Sequence, residues 1–212
     1  MTASVVTFST QVGSGGSAIS RAVADRLGYR FYDWEIISQA AQEAGVSPEV
    51  LAVATSERRP SFIERVLGRL AGFDAGDETS AAATIASPNL LTSEDYRQFI
   101  EHVVQELGSQ GEAVIVNRAG QALLRDIPGV FRVLIYGSPE RRAQRFAASQ
   151  GRDIDQVRRM IADSDRQRGE YLKRVYHLDW LTGTNYDIAI NTDRINHELA
   201  VDMIVTAARE VP

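Results

Sequence analysis

The 212-residue chain contains no cysteine, which excludes a disulfide framework, a thiolate metal site and a cysteine nucleophile. Lysine is almost as scarce, with Lys173 standing alone against 22 arginines. A cation fixed at a functional spot must therefore be an arginine, a planar donor fork rather than a point charge. His102, His177 and His197 lack the spacing of metal ligands. No apolar run approaches membrane-spanning length, and the N-terminus shows no basic segment followed by an apolar one. The expectation is a cytoplasmic protein with no membrane partner.

What is present is ordinary in bulk and uneven in detail. An apolar fraction of 44% and a charged fraction of 24% describe a globular chain, and the length suits one α/β-sized domain with a real core. The net charge of −5 argues against general nucleic-acid binding. Yet Arg141 to Arg174 carries ten basic residues against five acids. A local basic block in an acidic chain suits a compact polyanion, although any single arginine there also fits a solvated helical face.

Ser4 to Gly28 organises the rest. Val5, Val6 and Phe8 read as a buried strand, and Ile19, Val23 and Leu27 mark one apolar helical face that stops at Gly28. Between them lies Gly13-Ser14-Gly15-Gly16. A strand, a glycine loop and a helix N-terminus can converge backbone N–H groups on a phosphate. A tight packing turn is the alternative. Set against the P-loop pattern, the first glycine falls on Thr10, the lysine on Gly16 and the Mg²⁺-binding hydroxyl on Ser17.

Five strand-like runs, Val5–Thr10, Tyr29–Tyr32, Ala113–Asn117, Phe131–Tyr136 and Asp187–Asn191, alternate with helical patterns. This predicts a mostly parallel sheet with helices on both faces. The helical patterns cover Trp34–Ala44, a restart capped by Ser47 and Pro48, Phe62–Leu70 after a break at Arg58-Arg59-Pro60, and Tyr96–Leu107, opened by Ser93 and ending at Gly108. Ala71–Pro88 reads as a mobile loop. Ligands of such sheets sit beyond the strands' carboxyl ends, which gathers the glycine loop, Asp33 and Asn117-Arg118.

The phrases G-S-G-G-S-A-I (13–19), F-Y-D-W-E-I-I (31–37), V-I-V-N-R-A-G-Q-A-L-L (114–124), F-R-V-L-I-Y (131–136), D-R-Q-R-G-E-Y (165–171) and N-Y-D-I-A-I-N-T (185–192) occur in that order. Together they resemble the cytidylate-kinase-like family, a bacterial branch of the P-loop nucleoside monophosphate kinases. The resemblance implies a P-loop NTPase-type three-layer α/β sandwich on a five-stranded sheet. It divides the chain into a core (1–34, 93–145, 181–212), a helical monophosphate-binding insertion (35–92) and a lid (146–180). It also implies phosphoryl transfer from ATP, with Mg²⁺, to CMP or dCMP.

The implied roles fall on named positions. Gly13, Ser14, Gly15, Gly16 and Ser17 would hold the donor phosphates, Ser17 also the Mg²⁺. Asp33 would meet the acceptor nucleoside or cap the helix after it. Arg118 would bind the acceptor phosphate as a planar fork, or lie on the surface. Arg168 would act on the transferring phosphoryl, with Asp165 orienting it and Arg166 as a second candidate; the alternative is an exposed i,i+3 ion pair. Tyr171, Tyr176 and Trp180 fit lid packing. The chain departs from the family where basic residues are common, at Thr10, Ser17 and Trp34, and has Asn117 where glycine is usual. Arg21 is the arginine nearest the loop in sequence. Two other readings fit the residues: a weak or inactive nucleotide-binding regulatory module, and a small-molecule kinase with another acceptor. A monomer and a homodimer are equally compatible.

Overall fold

The computed structural model describes residues 3–47, 59–71, 94–117 and 119–211. Its elements run β1 (Val5–Thr10), α1 (Gly16–Leu27), β2 (Arg30–Tyr32), α2 (Trp34–Glu43), α3 (Arg59–Ala71), α4 (Glu94–Gln110), β3 (Ala113–Val116), α5 (Gly120–Leu123), β4 (Val130–Tyr136), α6 (Pro139–Gln150), α7 (Ile154–Tyr176), β5 (Ile188–Asn191) and α8 (His197–Glu210). The strands form one parallel five-stranded sheet in the order β2-β3-β1-β4-β5. Each predicted strand is present, and β1 keeps its predicted bounds because all six of its residues are buried.

Alternation along the strands feeds two apolar layers, which makes the α/β fold three-layered. Val5, Tyr32 and Ile115 face a core completed by α2, α3 and α4, while Val6, Phe8, Phe31, Val114 and Val133 face α1 and α8. The second strand's helix is capped as expected, the Asp33 carboxylate accepting from the Ile36 amide at 3.0 Å. Two boundaries differ from the periodicity. The fourth helix runs through Gly108, because the missing Cβ there makes room for Leu124. It ends instead before Gly111, which takes φ 75°. Pro60 lies in the first turn of α3, where its lost N–H has no intrahelical acceptor anyway. The predicted restart at Pro48, the Ala71–Pro88 loop beyond Ala71, Ser93 and Arg118 lie outside the described residues.

Candidate functional site

At the carboxyl end of the central strand the chain turns through Gln11, Val12, Gly13, Ser14 and Gly15 into α1. Gly13 and Gly15 take φ of 76° and 79°, the left-handed region open to glycine. Close packing adds a second demand: a Cβ on Gly13 would overlap the Arg142 carbonyl, and one on Gly15 the His197 imidazole. The Ser14 amide donates to the Gln11 carbonyl at 3.1 Å, and the Ser14 hydroxyl accepts from the Gly16 amide at 3.3 Å. Among the described residues the Gly13 and Gly15 amides have no intramolecular acceptor, and they sit at the positive end of α1. The loop therefore has the donors and shape of an anion cradle.

Three arginines fix this loop and the end of β1 that leads into it by backbone carbonyls. Arg142, only 1% exposed, donates through Nη1 to the Val12 carbonyl at 3.0 Å, through Nε to Gly137 at 2.9 Å and through Nη2 to Asp165 at 2.5 Å. Arg145 donates through Nε to the Gly13 carbonyl at 2.9 Å and through Nη1 and Nη2 to the carbonyl and hydroxyl of Thr192. Arg168 donates through Nη1 to the Thr10 carbonyl at 2.5 Å and to Asn117 Oδ1 at 2.9 Å. In a trans peptide the carbonyl and the next amide point in opposite directions. Drawing the Val12 carbonyl to Arg142 thus aims the Gly13 N–H the other way.

Asn117 follows β3 at φ 66°, which explains why glycine suits this position; asparagine is among the few other residues that adopt it readily. Its Oδ1 accepts from the Thr10 amide at 3.0 Å as well as from Arg168, tying β3, β1 and α7 together. The Arg168 guanidinium stacks on Trp180, 5.1 Å from the ring centroid. Trp180 is itself pinned by Nε1–H to Ser9 Oγ at 2.8 Å. Burial pulls the Arg168 pKa down while Asp165 and Tyr186 push it back up; an arginine so placed stays charged.

The structure separates the residues of the 165–168 phrase. Asp165 binds Arg142 and Gln11 Nε2 (3.2 Å) rather than orienting Arg168. Arg166 faces solvent in ion pairs with Asp163 and Glu170. Of the two arginines in the phrase, only Arg168 reaches the end of β1 that leads into the loop. Arg21 lies over the Phe31 ring at 4.2 Å. Ser17 is exposed at the start of α1, and Asp33 lies half-buried beyond β2 beside Glu35, whose pKa rises through burial and through Asp33. Tyr176 donates to Glu101 at 2.5 Å and stacks edge-on with Tyr171, so both serve packing and docking of α7.

Sequence reasoning missed the roles of Arg142, Arg145, the Asn117 side chain and His197. The first two stand three apart on a helix that opens with Pro139 directly after β4. That spacing puts them on one helical face at the sheet's carboxyl edge, a signal hidden in a block that resembles a solvated face.

The described residues contain no group of three or more His, Cys, Asp or Glu able to hold a metal, and none of their helices is long and apolar enough to cross a membrane. The residues present do fit an anion such as a phosphate, since the Gly13 and Gly15 amides at the N-terminus of α1 have no acceptor among the described residues.

Comparison with known proteins agrees with this architecture. A model of the cytidylate kinase-like family matches residues 5–194. An uncharacterized protein from Eubacterium ventriosum ATCC 27560 superposes with TM-score 0.66 at 17% identity, covering 96% of this chain and 97% of that one; it supports the shared fold. A shikimate kinase from Bacteroides thetaiotaomicron aligns over 96% of this chain and 94% of its own, at 14% identity and TM-score 0.48. In sequence, a uronate isomerase of Corynebacterium glutamicum is 26% identical over 136 residues, 64% of this chain. The match spans 25% of the isomerase's length, and the isomerase activity stays with that protein.

Proposed function

The chain belongs to the cytidylate kinase-like family, and we propose that it transfers the γ-phosphoryl of ATP to a nucleoside monophosphate, CMP or dCMP. Family membership supports kinase-type phosphotransfer; the acceptor is our own reading. One observation carries it: a glycine loop with two left-handed glycines, held through its carbonyls by Arg142 and Arg145, stands beside Arg168, the arginine of 165–168 that faces inward. Phosphoryl transfer asks the protein for positioning and charge neutralisation rather than covalent help.

In this reading Gly13, Ser14, Gly15 and Gly16 bind the donor phosphates. Ser17 would hold a Mg²⁺ bound with the nucleotide, which would offset phosphate charge. Arg168 neutralises charge at the loop's entrance. Asp33 meets the acceptor nucleoside while capping α2, and Arg118 meets the acceptor phosphate. Residues 35–92 form the acceptor side and 146–180 the lid. Asp165 and Arg166 carry no chemistry: Asp165 positions the loop through Arg142, and Arg166 is a surface residue.

The test is ADP release from Mg²⁺-ATP with CMP, dCMP, UMP, AMP and GMP offered separately. Turnover confined to the cytidine nucleotides supports the proposal. Equal or greater turnover with another acceptor overturns the acceptor assignment. No turnover with any acceptor, alongside calorimetric ATP binding, favours a nucleotide-binding regulatory module.

A further inference from the structure

Position 16, where a P-loop carries its lysine, is glycine here, and the structure supplies a steric reason. A Cβ on Gly16 would lie 2.5 Å from Thr10 Cβ and closer still to its Cγ2. Thr10 stands at the place of the pattern's first glycine and is 5% exposed at the end of a strand paired on both sides, so its side chain has nowhere to retreat. Ser14 Oγ, the next neighbour at 3.3 Å, could yield by the few tenths required. One residue's side chain thus fills the volume that a side chain at the other would need.

The same residue seats a cation. The Thr10 carbonyl accepts from Arg168 Nη1, whose second bond goes to Asn117 Oδ1. Trp180 supports the guanidinium face, and Ser9 on β1 fixes Trp180. These anchors lie at the sheet's carboxyl edge or pack against it, so Arg168 is seated at the loop in this structure. Among the described residues its Nε and Nη2 make no other hydrogen bond, which leaves a fork edge for a phosphate oxygen.

We propose that Thr10 and Gly16 form a steric lock that excludes a loop lysine, and that Arg168, seated on the Thr10 carbonyl, supplies that lysine's charge to the donor phosphates. This rests on the nucleotide-binding part of the proposed function. A Thr10→Gly/Gly16→Lys pair should then be exchangeable with Arg168.

A variant cycle tests both halves. Melting temperature measures the lock without any ligand. Gly16→Lys should lower it, and adding Thr10→Gly should raise it again, although Thr10→Gly alone lowers it. A Thr10→Gly effect of the same sign and size in both backgrounds overturns the lock. Calorimetry with Mg²⁺-ATP measures the charge. Arg168→Ala should weaken binding at least tenfold, and the triple variant Thr10→Gly/Gly16→Lys/Arg168→Ala should regain most of that loss. Unchanged binding in Arg168→Ala, or a folded triple variant that binds as poorly as Arg168→Ala, overturns the exchange. Neither readout needs an acceptor. If both cycles hold and no acceptor turns over, the lock stands and the kinase reading fails.

Discussion

Removing the Asp165 carboxylate should cost far more than its partly open position suggests. The Arg142 side chain is 1% exposed and Asp165 is 23% exposed, with 2.5 Å between Nη2 and Oδ2. Asp165→Ala leaves a guanidinium buried without its counter-ion and frees Gln11, which otherwise links Asp165 to the Gly137 amide. Breaking a buried pair from one side costs about 3–5 kcal/mol; the exposure of Asp165 argues for the lower end, about 3 kcal/mol. For a chain of this length each kcal/mol shifts Tm by roughly 2–4 °C, so a fall of about 6–12 °C is expected in a calorimetric scan. Asp163→Ala, which breaks a solvent-exposed pair with Arg166 on the same helix, is the control and should leave Tm nearly unchanged. The double variant Arg142→Met/Asp165→Leu should recover stability, since apolar replacement of both partners removes the stranded charge. It should still bind Mg²⁺-ATP weakly, because the Val12 carbonyl has lost its donor. Equal melting temperatures for Asp165→Ala and Asp163→Ala would refute the reasoning.

Other consequences are open to direct measurement. Asn117→Gly should keep the left-handed turn but release Arg168, so it should retain stability better than Asn117→Ala while both lose ATP affinity; the strain in the alanine variant is about 1 kcal/mol. Gly15→Ala should abolish ATP binding, because it meets both φ 79° and the His197 ring; normal affinity would contradict the assigned cradle. Burial and Asp33 raise the Glu35 pKa, so its ionised form costs stability at neutral pH; Glu35→Gln should be more stable than the parent at pH 7, with the gap closing as pH falls through the raised value. Asp187 has the opposite sign: burial pushes its pKa up but the Arg132 side chain and amide pull it below the ordinary value. Its contribution is complete above the ordinary carboxylate range and disappears as pH falls through the lowered pKa, so Asp187→Asn should destabilise at pH 7 and match the parent in strong acid.

The sheet was legible because its strands are apolar on both faces, as in A-V-I-V of β3, and a period-free apolar run between glycines has few other uses. The glycine loop was legible for a related reason: Gly13, Gly15 and Gly16 each lack a side chain that the fold has no room for. Gly108 misled because a glycine late in a helical pattern reads as a stop, whereas here Leu124 from a distant segment takes its space. The i,i+3 spacing of Asp165 and Arg168 suggested a pair. It says nothing of Arg142, 23 residues earlier, whose donors outcompete that pairing. Contacts between α6, α7 and the loop are long-range and leave no periodic trace.

The imbalance between arginine and lysine becomes intelligible at the loop. Thr10, Val12 and Gly13 each present a carbonyl to a guanidinium, and each guanidinium binds a second partner as well. A planar fork can bridge two fixed acceptors, whereas an ammonium on a flexible stem satisfies one direction at a time. Arg145 makes the sharpest case, with three nitrogens bonded to Gly13 and to both acceptors of Thr192. Arg145→Lys keeps the charge beside Asp193, 3.8 Å away, but cannot keep the span between loop and β5. With about 1–2 kcal/mol at stake for charged hydrogen bonds at a half-buried site, Arg145→Lys should lose most of the Tm and ATP affinity lost by Arg145→Ala. If lysine instead preserves both, the loop is held by charge alone and the role assigned to the guanidinium plane is wrong.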